Sequence, residues 1–197
     1  MVEPIAIKLF FNFRSPYCYL ASKSLWSLFD DYHTQMIWRP FGGWDGRSNP
    51  DRAKIKVPLT RQDVGRWARR MGIPLNPPPI TTDPTKAGAG SMLAEEKGVL
   101  RDYIIEMMRA EWSEGLDIGE DTVLLNVGEK VGLDRKELAD AIVSETYMKR
   151  LSDNKQEADD LGVIGVPTFV IGDQIFWGND RIDFVHEYLT EQRLKKI

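Results

Sequence analysis

The sequence predicts an α/β fold in which a βαβ half and a ββα half are separated by a long all-helical insertion. Three observations carry that expectation. Strand-like apolar stretches occur near the two ends, at Ile5 to Phe13, Met36 to Phe41 and Val166 to Trp177. Helical patterns run with interruptions from Thr85 to Leu161, with no convincing strand among them. The chain of 197 residues has room for one domain, or one domain carrying an insertion. Residues 1–59 and 162–197 are accordingly expected to form one discontinuous domain, and residues 60–161 a helical insertion.

The elements follow in order. Ile5 to Phe13 is apolar, partly alternating and aromatic, which suits a buried strand. Ser15 and Pro16 supply a hydroxyl cap and a first-turn proline, so a helix is expected over Tyr17 to Phe29, with Leu20, Ala21, Leu25 and Leu28 on its apolar side. Met36 to Phe41 supplies a second strand, and strand, helix, strand in this order suggests a right-handed βαβ unit. A Gly/Asp/Asn-rich loop occupies Gly42 to Asp51. A helix is expected over Thr60 to Gly72, with Thr60 and Asp63 as a capping-box-like pair and Val64, Trp67, Ala68 and Met71 facing inward. Leu75 to Pro84 holds four prolines and is a loop. In the helical block the clearest face is Leu100, Tyr103, Ile104, Met107, Met108 and Trp112. Gly172 and Asp173 then turn a hairpin between Val166 to Val170 and Gln174 to Trp177. Asn179 and Asp180 are read as the cap of a last helix carrying Ile182, Val185, Tyr188 and Leu189.

Composition excludes several classes of function. There are 26 Lys+Arg against 30 Asp+Glu, a net charge of -4, which is a poor basis for non-specific nucleic-acid binding. Arg61, Arg66, Arg69 and Arg70 on one helix therefore read as a solvated face. One cysteine, Cys18, permits no internal disulfide and fits a reducing compartment. Two histidines, His33 and His186, leave no set for a Cys/His or three-histidine zinc site, and no Asp-rich loop suggests another metal. The N-terminus does not read as a signal peptide, and no apolar stretch has the ~18 residues a membrane span needs. A soluble, cytoplasmic protein without metal, nucleic-acid or membrane partners is the expectation.

A few residues carry chemistry. Ser15 stands at a strand-to-helix turn, where its hydroxyl and nearby backbone N–H groups favour a thiolate; it serves equally as a plain cap. Cys18 follows three residues later, giving Ser-Pro-Tyr-Cys, the spacing of a Cys-x-x-Cys redox turn without its attacking thiol. Its plainer reading is a buried, inert thiol. Gly165-Val166-Pro167-Thr168 precedes a strand, where a cis proline leaves Val166 able to pair with an extended peptide; an ordinary edge proline fits as well. Asp180 is placed to accept an ammonium group, or only to cap. Gly88 and Gly90 form no phosphate loop. Trp38, Phe41, Trp44 and Trp177 are candidates for an apolar substrate wall or for the core.

Taken in order, these pieces resemble the thioredoxin fold with a DsbA-like helical insertion, and more narrowly the 2-hydroxychromene-2-carboxylate isomerase and kappa-class glutathione transferase family. The stretches that carry the resemblance are FNFRSPYCYLA (Phe11 to Ala21), WRPF (Trp38 to Phe41), GRWARRMGIP (Gly65 to Pro74) and GVIGVPTFVIGDQIFWGNDRIDF (Gly162 to Phe184). The resemblance implies a bound glutathione, a homodimer, and a small aromatic or electrophilic substrate. It assigns Ser15 to the glutathione sulfur, Val166 and Pro167 to the cysteinyl part, and Asn179 and Asp180 to the γ-glutamyl end. Asn49 and Lys56 belong to the same ligand region. Many members of the family have serine where this chain has Cys18. The implied reaction is an isomerisation: the glutathione thiolate adds to the hydroxychromene, the ring opens, a bond rotates and the thiolate leaves. The alternatives are a kappa-class-like transferase, a DsbA-like thiol–disulfide oxidoreductase using Cys18, and a non-catalytic glutathione- or partner-binding module.

Overall fold

The computed structural model describes residues 3–43 and 50–196, and of Pro50, Arg52 and Ala53 the backbone alone. Strand β1 (Ile5–Phe11) lies parallel to β2 (Thr34–Pro40), with Ile5 opposite Thr34 and Phe11 opposite Pro40. Between them run two short helices, α1 (Pro16–Ala21) and α2 (Ser27–Asp30). Strand β3 (Thr168–Ile171) pairs antiparallel with β1, placing Leu9 opposite Phe169, and β4 (Gln174–Trp177) pairs antiparallel with β3. The sheet order is β2-β1-β3-β4. Strand β1 is thus interior to the sheet. Ile7, Leu9 and Phe11 enter the main core from one face, and Phe10 packs with Phe41, Ala158, Val163 and Val170 on the other. Burial on both faces explains the near-continuous apolar reading of this stretch.

The helix expected over Tyr17 to Phe29 is divided. The Ser22 carbonyl, which a continuous helix would pair with the Trp26 amide, accepts the Trp26 indole N–H at 2.8 Å, and the Ser22 hydroxyl donates to the Tyr19 carbonyl at 2.7 Å. These local bonds compete with the helical ladder and end α1 at Ala21. Helix α3 (Pro50–Met71) is longer than the Thr60 to Gly72 expected. It opens on Pro50, a favoured first-turn residue, and continues through Pro58. Thr60 and Asp63 do not cap it; Asp63 instead accepts the Tyr17 hydroxyl at 2.9 Å. The added turns left no periodic signal because their side chains face water: Ile55 is 70% and Leu59 59% exposed. Val64 and Ala68 face inward as expected, and Arg61, Arg66, Arg69 and Arg70 are exposed.

Between the two halves of the sheet come α4 (Thr85–Glu96), α5 (Leu100–Met108), a π-helical stretch at Arg109–Ser113, α6 (Asp121–Lys130), α7 (Arg135–Ala141) and α8 (Glu145–Asp160). The wider π turn brings three consecutive residues, Ala110, Glu111 and Trp112, inside. Helix α8 is tied to the sheet by Glu157, which takes Lys8 of β1 at 2.6 Å and Arg39 of β2 at 2.5 Å. The core is continuous from β1 through α1 into Tyr103, Met107 and Trp112. Phe13 meets Tyr103 edge-on at 5.9 Å, Phe11 lies 5.1 Å from Trp38, and the Trp38 indole donates to the Ser91 hydroxyl at 2.9 Å. Each fully buried aromatic of this kind contributes roughly 1.5–3 kcal/mol. Trp38 and Phe41 are therefore core residues and not a ligand wall.

The chain closes with a 3₁₀ turn at Asn179–Arg181 and α9 (Ile182–Glu191). Neither Asn179 nor Asp180 caps α9 by its side chain; the Asp180 carboxylate pairs with Arg181 at 2.7 Å. Among the described residues no helix is long and apolar enough to cross a membrane, and no group of three or more His, Cys, Asp or Glu residues is arranged to hold a metal.

Packing between α4, α5 and α7 depends on Gly90. A Cβ there would stand 2.6 Å from the Tyr103 hydroxyl and 2.9 Å from Leu138 Cδ1, both fully buried. Gly90→Ala gains ~1 kcal/mol in helix propensity but overpacks the core by about 1–3 kcal/mol. With two rigid neighbours the clash prevails, so the urea midpoint of Gly90→Ala is expected to fall at unchanged m-value.

Candidate active site

The turn after β1 is built by Asn12. Its buried side chain accepts the Arg14 N–H at 2.8 Å, and its carbonyl accepts the Ser15 N–H at 3.0 Å. This side-chain turn presents Ser15 in extended backbone geometry at the start of α1. The Ser15 hydroxyl oxygen accepts the Cys18 N–H at 3.3 Å, and the hydroxyl donates to the Val166 carbonyl, also at 3.3 Å. Hydroxyl bonds are usually near 2.7–2.8 Å, so this donor is weakly committed and free to turn to a stronger, anionic acceptor. One hundred and fifty-one residues of chain separate the two partners, and the sheet pairing of β1 with β3 joins them.

The Val166–Pro167 peptide is cis. The loop is held by the Thr168 hydroxyl donating to the Gly165 carbonyl at 2.7 Å and by the Gly178 N–H donating to the Pro167 carbonyl at 2.9 Å. A side chain at Gly165 would stand 2.7 Å from the Trp177 indole nitrogen, so glycine is what lets Trp177 lie against this loop. Trp177 itself is 52% exposed and available to a ligand. Two backbone donors beside Ser15, the N–H groups of Tyr17 and Val166, form no hydrogen bond to any described residue.

Asn179 and Asp180 reach the same end of the molecule, because their 3₁₀ turn packs against α1. Burial and the Asp63 hydrogen bond push the Tyr17 phenol up to about 12, with Asp180 acting in the same direction. The structure thus gathers Ser15, Val166, Pro167, Asn179 and Asp180. Lys56 is not tied to them: it is exposed on the outer turns of α3 and makes no hydrogen bond or ion pair with a described residue. Asn49 and Trp44 lie outside the described residues.

Cys18 is fully buried. Desolvation pushes its thiol up to about 12, outweighing the opposing hydrogen bonds to Asn12 and Ser15. A thiol held neutral and shielded from solvent is a poor nucleophile, which counts against the oxidoreductase alternative.

Sequence reasoning overlooked a second polar group beside Ser15. Arg14 places its guanidinium 5.4 Å from the centre of the Trp112 ring and donates to the Pro79 carbonyl at 3.2 Å. Its nearest acid, Glu111, is wholly buried in the π-helical stretch, and its carboxylate lies 4.0 Å away, too far for a hydrogen bond. Neither Glu111 oxygen accepts any bond from a described residue. Burial raises the Glu111 carboxyl well above the usual carboxylate range, against weaker opposing pulls from Arg14 and from Trp112, whose indole donates to the Phe13 carbonyl at 3.1 Å. Burial also pulls Arg14 below its ordinary value, with Glu111 and Asp117 opposing and Arg61 reinforcing; a guanidinium nevertheless stays charged. The available signal was a glutamate on the otherwise apolar Met107 to Trp112 face.

Two outcomes follow from these environments. Cys18 in the native protein is expected to resist a thiol-specific alkylating reagent at neutral pH and to react fully once unfolded by urea. Rapid labelling of the folded protein would contradict its burial. Glu111 takes up a proton on folding, so its contribution to stability is complete below the ordinary value of 4.5 and is lost as pH rises through its higher folded value. Glu111→Gln lacks that loss. Its urea midpoint, compared with that of the parent protein, is expected to improve steadily as pH rises from about 4.5 through neutrality.

The chain matches the DSBA-like thioredoxin domain family over residues 6–190. It is 29% identical over 184 residues to a 2-hydroxychromene-2-carboxylate isomerase of Pseudomonas putida, covering 89% of this chain and 90% of that protein. A protein of the same name from Sphingobium xenophagum is 29% identical over 194 residues, covering 94% and 98%. Among solved structures, a 2-hydroxychromene-2-carboxylate isomerase superposes with a TM-score of 0.83 at 25% identity, covering 96% of each chain. The cytosolic disulfide reductase DsbM from Pseudomonas aeruginosa, determined with GSH, shares the fold at a TM-score of 0.73 and 21% identity, covering 96% of this chain and 100% of that one. The strand order, the cis proline facing Ser15 and the match along residues 6–190 place this chain in the DSBA-like thioredoxin domain family.

Proposed function

We propose that the protein is a glutathione-dependent isomerase of the 2-hydroxychromene-2-carboxylate type. The observation that carries this reading is the Ser15 hydroxyl, loosely held 3.3 Å from the Val166 carbonyl beside two unused backbone N–H groups. Support also comes from the relatives of that name, which match along 89% and 94% of the chain. Helix α1 has only six residues, so its dipole is short and the hydroxyl carries more of the work than sequence reasoning assigned to it.

Each of the gathered residues has a role in this reading. Ser15 donates to the glutathione sulfur and favours its anion over a thiol that ordinarily titrates near ~8.5. The Val166 N–H and carbonyl pair with the cysteinyl backbone, with Pro167 shaping the loop. Asn179 and the Asp180 carboxylate receive the γ-glutamyl end, Asp180 exchanging Arg181 for the ligand ammonium. The family resemblance assigns Asn49 and Lys56 to the same ligand, but Lys56 stands apart from the gathered residues and Asn49 lies outside the described ones, so neither is given a role. Trp177 offers an apolar wall to an aromatic substrate. Glutathione, when bound, supplies a nucleophile that adds to the substrate and is expelled after the ring has opened and isomerised.

Ser15→Ala is expected to keep the fold and to raise the titration of bound glutathione by about 1–2 pH units, the equivalent of one hydrogen bond to a charged group. Ultraviolet absorbance of the thiolate against pH measures it, and an unchanged curve removes Ser15 from the mechanism. The parent protein is expected to turn over 2-hydroxychromene-2-carboxylate only when glutathione is present, without consuming it. Net consumption would identify a transferase.

A further inference from the structure

We infer that Arg14, assisted by Thr82, is the specificity-determining residue that receives the carboxylate of the substrate. The inference rests on the isomerase reading and assigns a recognition site within it. Among the described residues, four buried side-chain polar atoms lack a hydrogen-bond partner: Arg14 Nε, Thr82 Oγ1 and both oxygens of Glu111. They form one group. Arg14 and the Thr82 N–H share the Pro79 carbonyl, at 3.2 and 3.1 Å, and Glu111 lies 4.0 Å from Arg14. Unspent donors are costly in a folded interior and point to a missing acceptor.

The direction of the two neighbouring side chains separates their partners. The Ser15 hydroxyl reaches Val166 ahead of β3, whereas the Arg14 side chain runs to Pro79, Glu111 and Trp112 on the side of the helical segments. Arg14 is therefore placed for a group that approaches from the helical side, not for the sulfur held at Ser15. Glu111 lies 4.0 Å from it and makes no hydrogen bond to it, and burial raises the Glu111 carboxyl well above the usual carboxylate range; Arg61 of α3 adds positive potential, and Asp117 is a further acidic neighbour. The Arg14 side chain as a whole is 17% exposed, whereas its Nε and the Thr82 hydroxyl are buried. A planar carboxylate matches its fork, and the Thr82 hydroxyl supplies a further donor.

Calorimetry with salicylate as the carboxylate probe and salicylamide as its uncharged counterpart tests this assignment. The parent protein is expected to bind salicylate in preference to salicylamide. Arg14→Gln is expected to lose about 10- to 100-fold of salicylate affinity, the effect of one charged hydrogen bond, while glutathione affinity stays as it was. Thr82→Val, a change of similar shape, is expected to lose roughly 2- to 10-fold and serves if Arg14→Gln does not fold. In turnover, the loss in Arg14→Gln should fall on KM for 2-hydroxychromene-2-carboxylate more than on kcat. Equal salicylate binding by parent and variant, or none by either, overturns the assignment, as does an equal loss of glutathione affinity. Arg14-dependent salicylate binding without chromene turnover would keep the anion site and remove the isomerase reading.

Discussion

Strand β1 is buried on both faces, and the geometry of the site depends on that burial. Ile7, Leu9 and Phe11 lock one face into the main core while Phe10 anchors the other beneath α8. A strand so held has no freedom to slide, since a one-residue slip would exchange its two faces. Its end is therefore a fixed platform. Asn12 then turns the chain with its own side chain, and the next three residues, Phe13, Arg14 and Ser15, are delivered to three different surroundings. Phe13 goes into the aromatic contact with Tyr103, Arg14 onto Trp112, and Ser15 toward the cis-proline loop.

The helical segments are more than a cover for the sheet. Core packing runs without interruption from β1 to Tyr103, Met107 and Trp112, so the position of the π-helical stretch is coupled to that of the strand end. The extra residue in that turn carries Glu111 inward beside Arg14. An ionised glutamate there would need a close partner to offset its desolvation, and at 4.0 Å Arg14 does not supply one. Burial accordingly raises the Glu111 carboxyl well above the usual carboxylate range. Cys18, a few residues away in the turn, experiences the same dry interior and is silenced by it.

Much of this was readable from local signals. The hairpin at Gly172 and Asp173 declared itself because glycine there adopts φ +60, a conformation other residues resist. Ser15 was legible because a hydroxyl followed by proline is a strong helix start, and Val166-Pro167 because proline punctuates the strand that follows. Other elements carried no such signal. The first turns of α3 bury too little for their periodicity to show. The break after Ala21 is made by Ser22 and Trp26 through side-chain bonds to nearby carbonyls, which compete with helix at a scale that spacing does not reveal. Asp180 was read as a cap and is instead paired with its neighbour Arg181 ahead of the helix.

By itself the sequence determined the kinds of element, their order along the chain, and the presence of a hydroxyl at the first helix start and a proline before the third strand. Each of these is encoded within a few residues, by capping, turn chemistry and hydrophobic alternation. Tertiary structure alone decided that Ser15 and Val166 meet across 151 residues, that Cys18 is sealed, that Trp38 and Phe41 serve the core, and that Arg14 and Glu111 lie 4.0 Å apart without a hydrogen bond between them. Distance, desolvation and the direction of a side chain belong to the packing of remote segments, and no local pattern of residues specifies them.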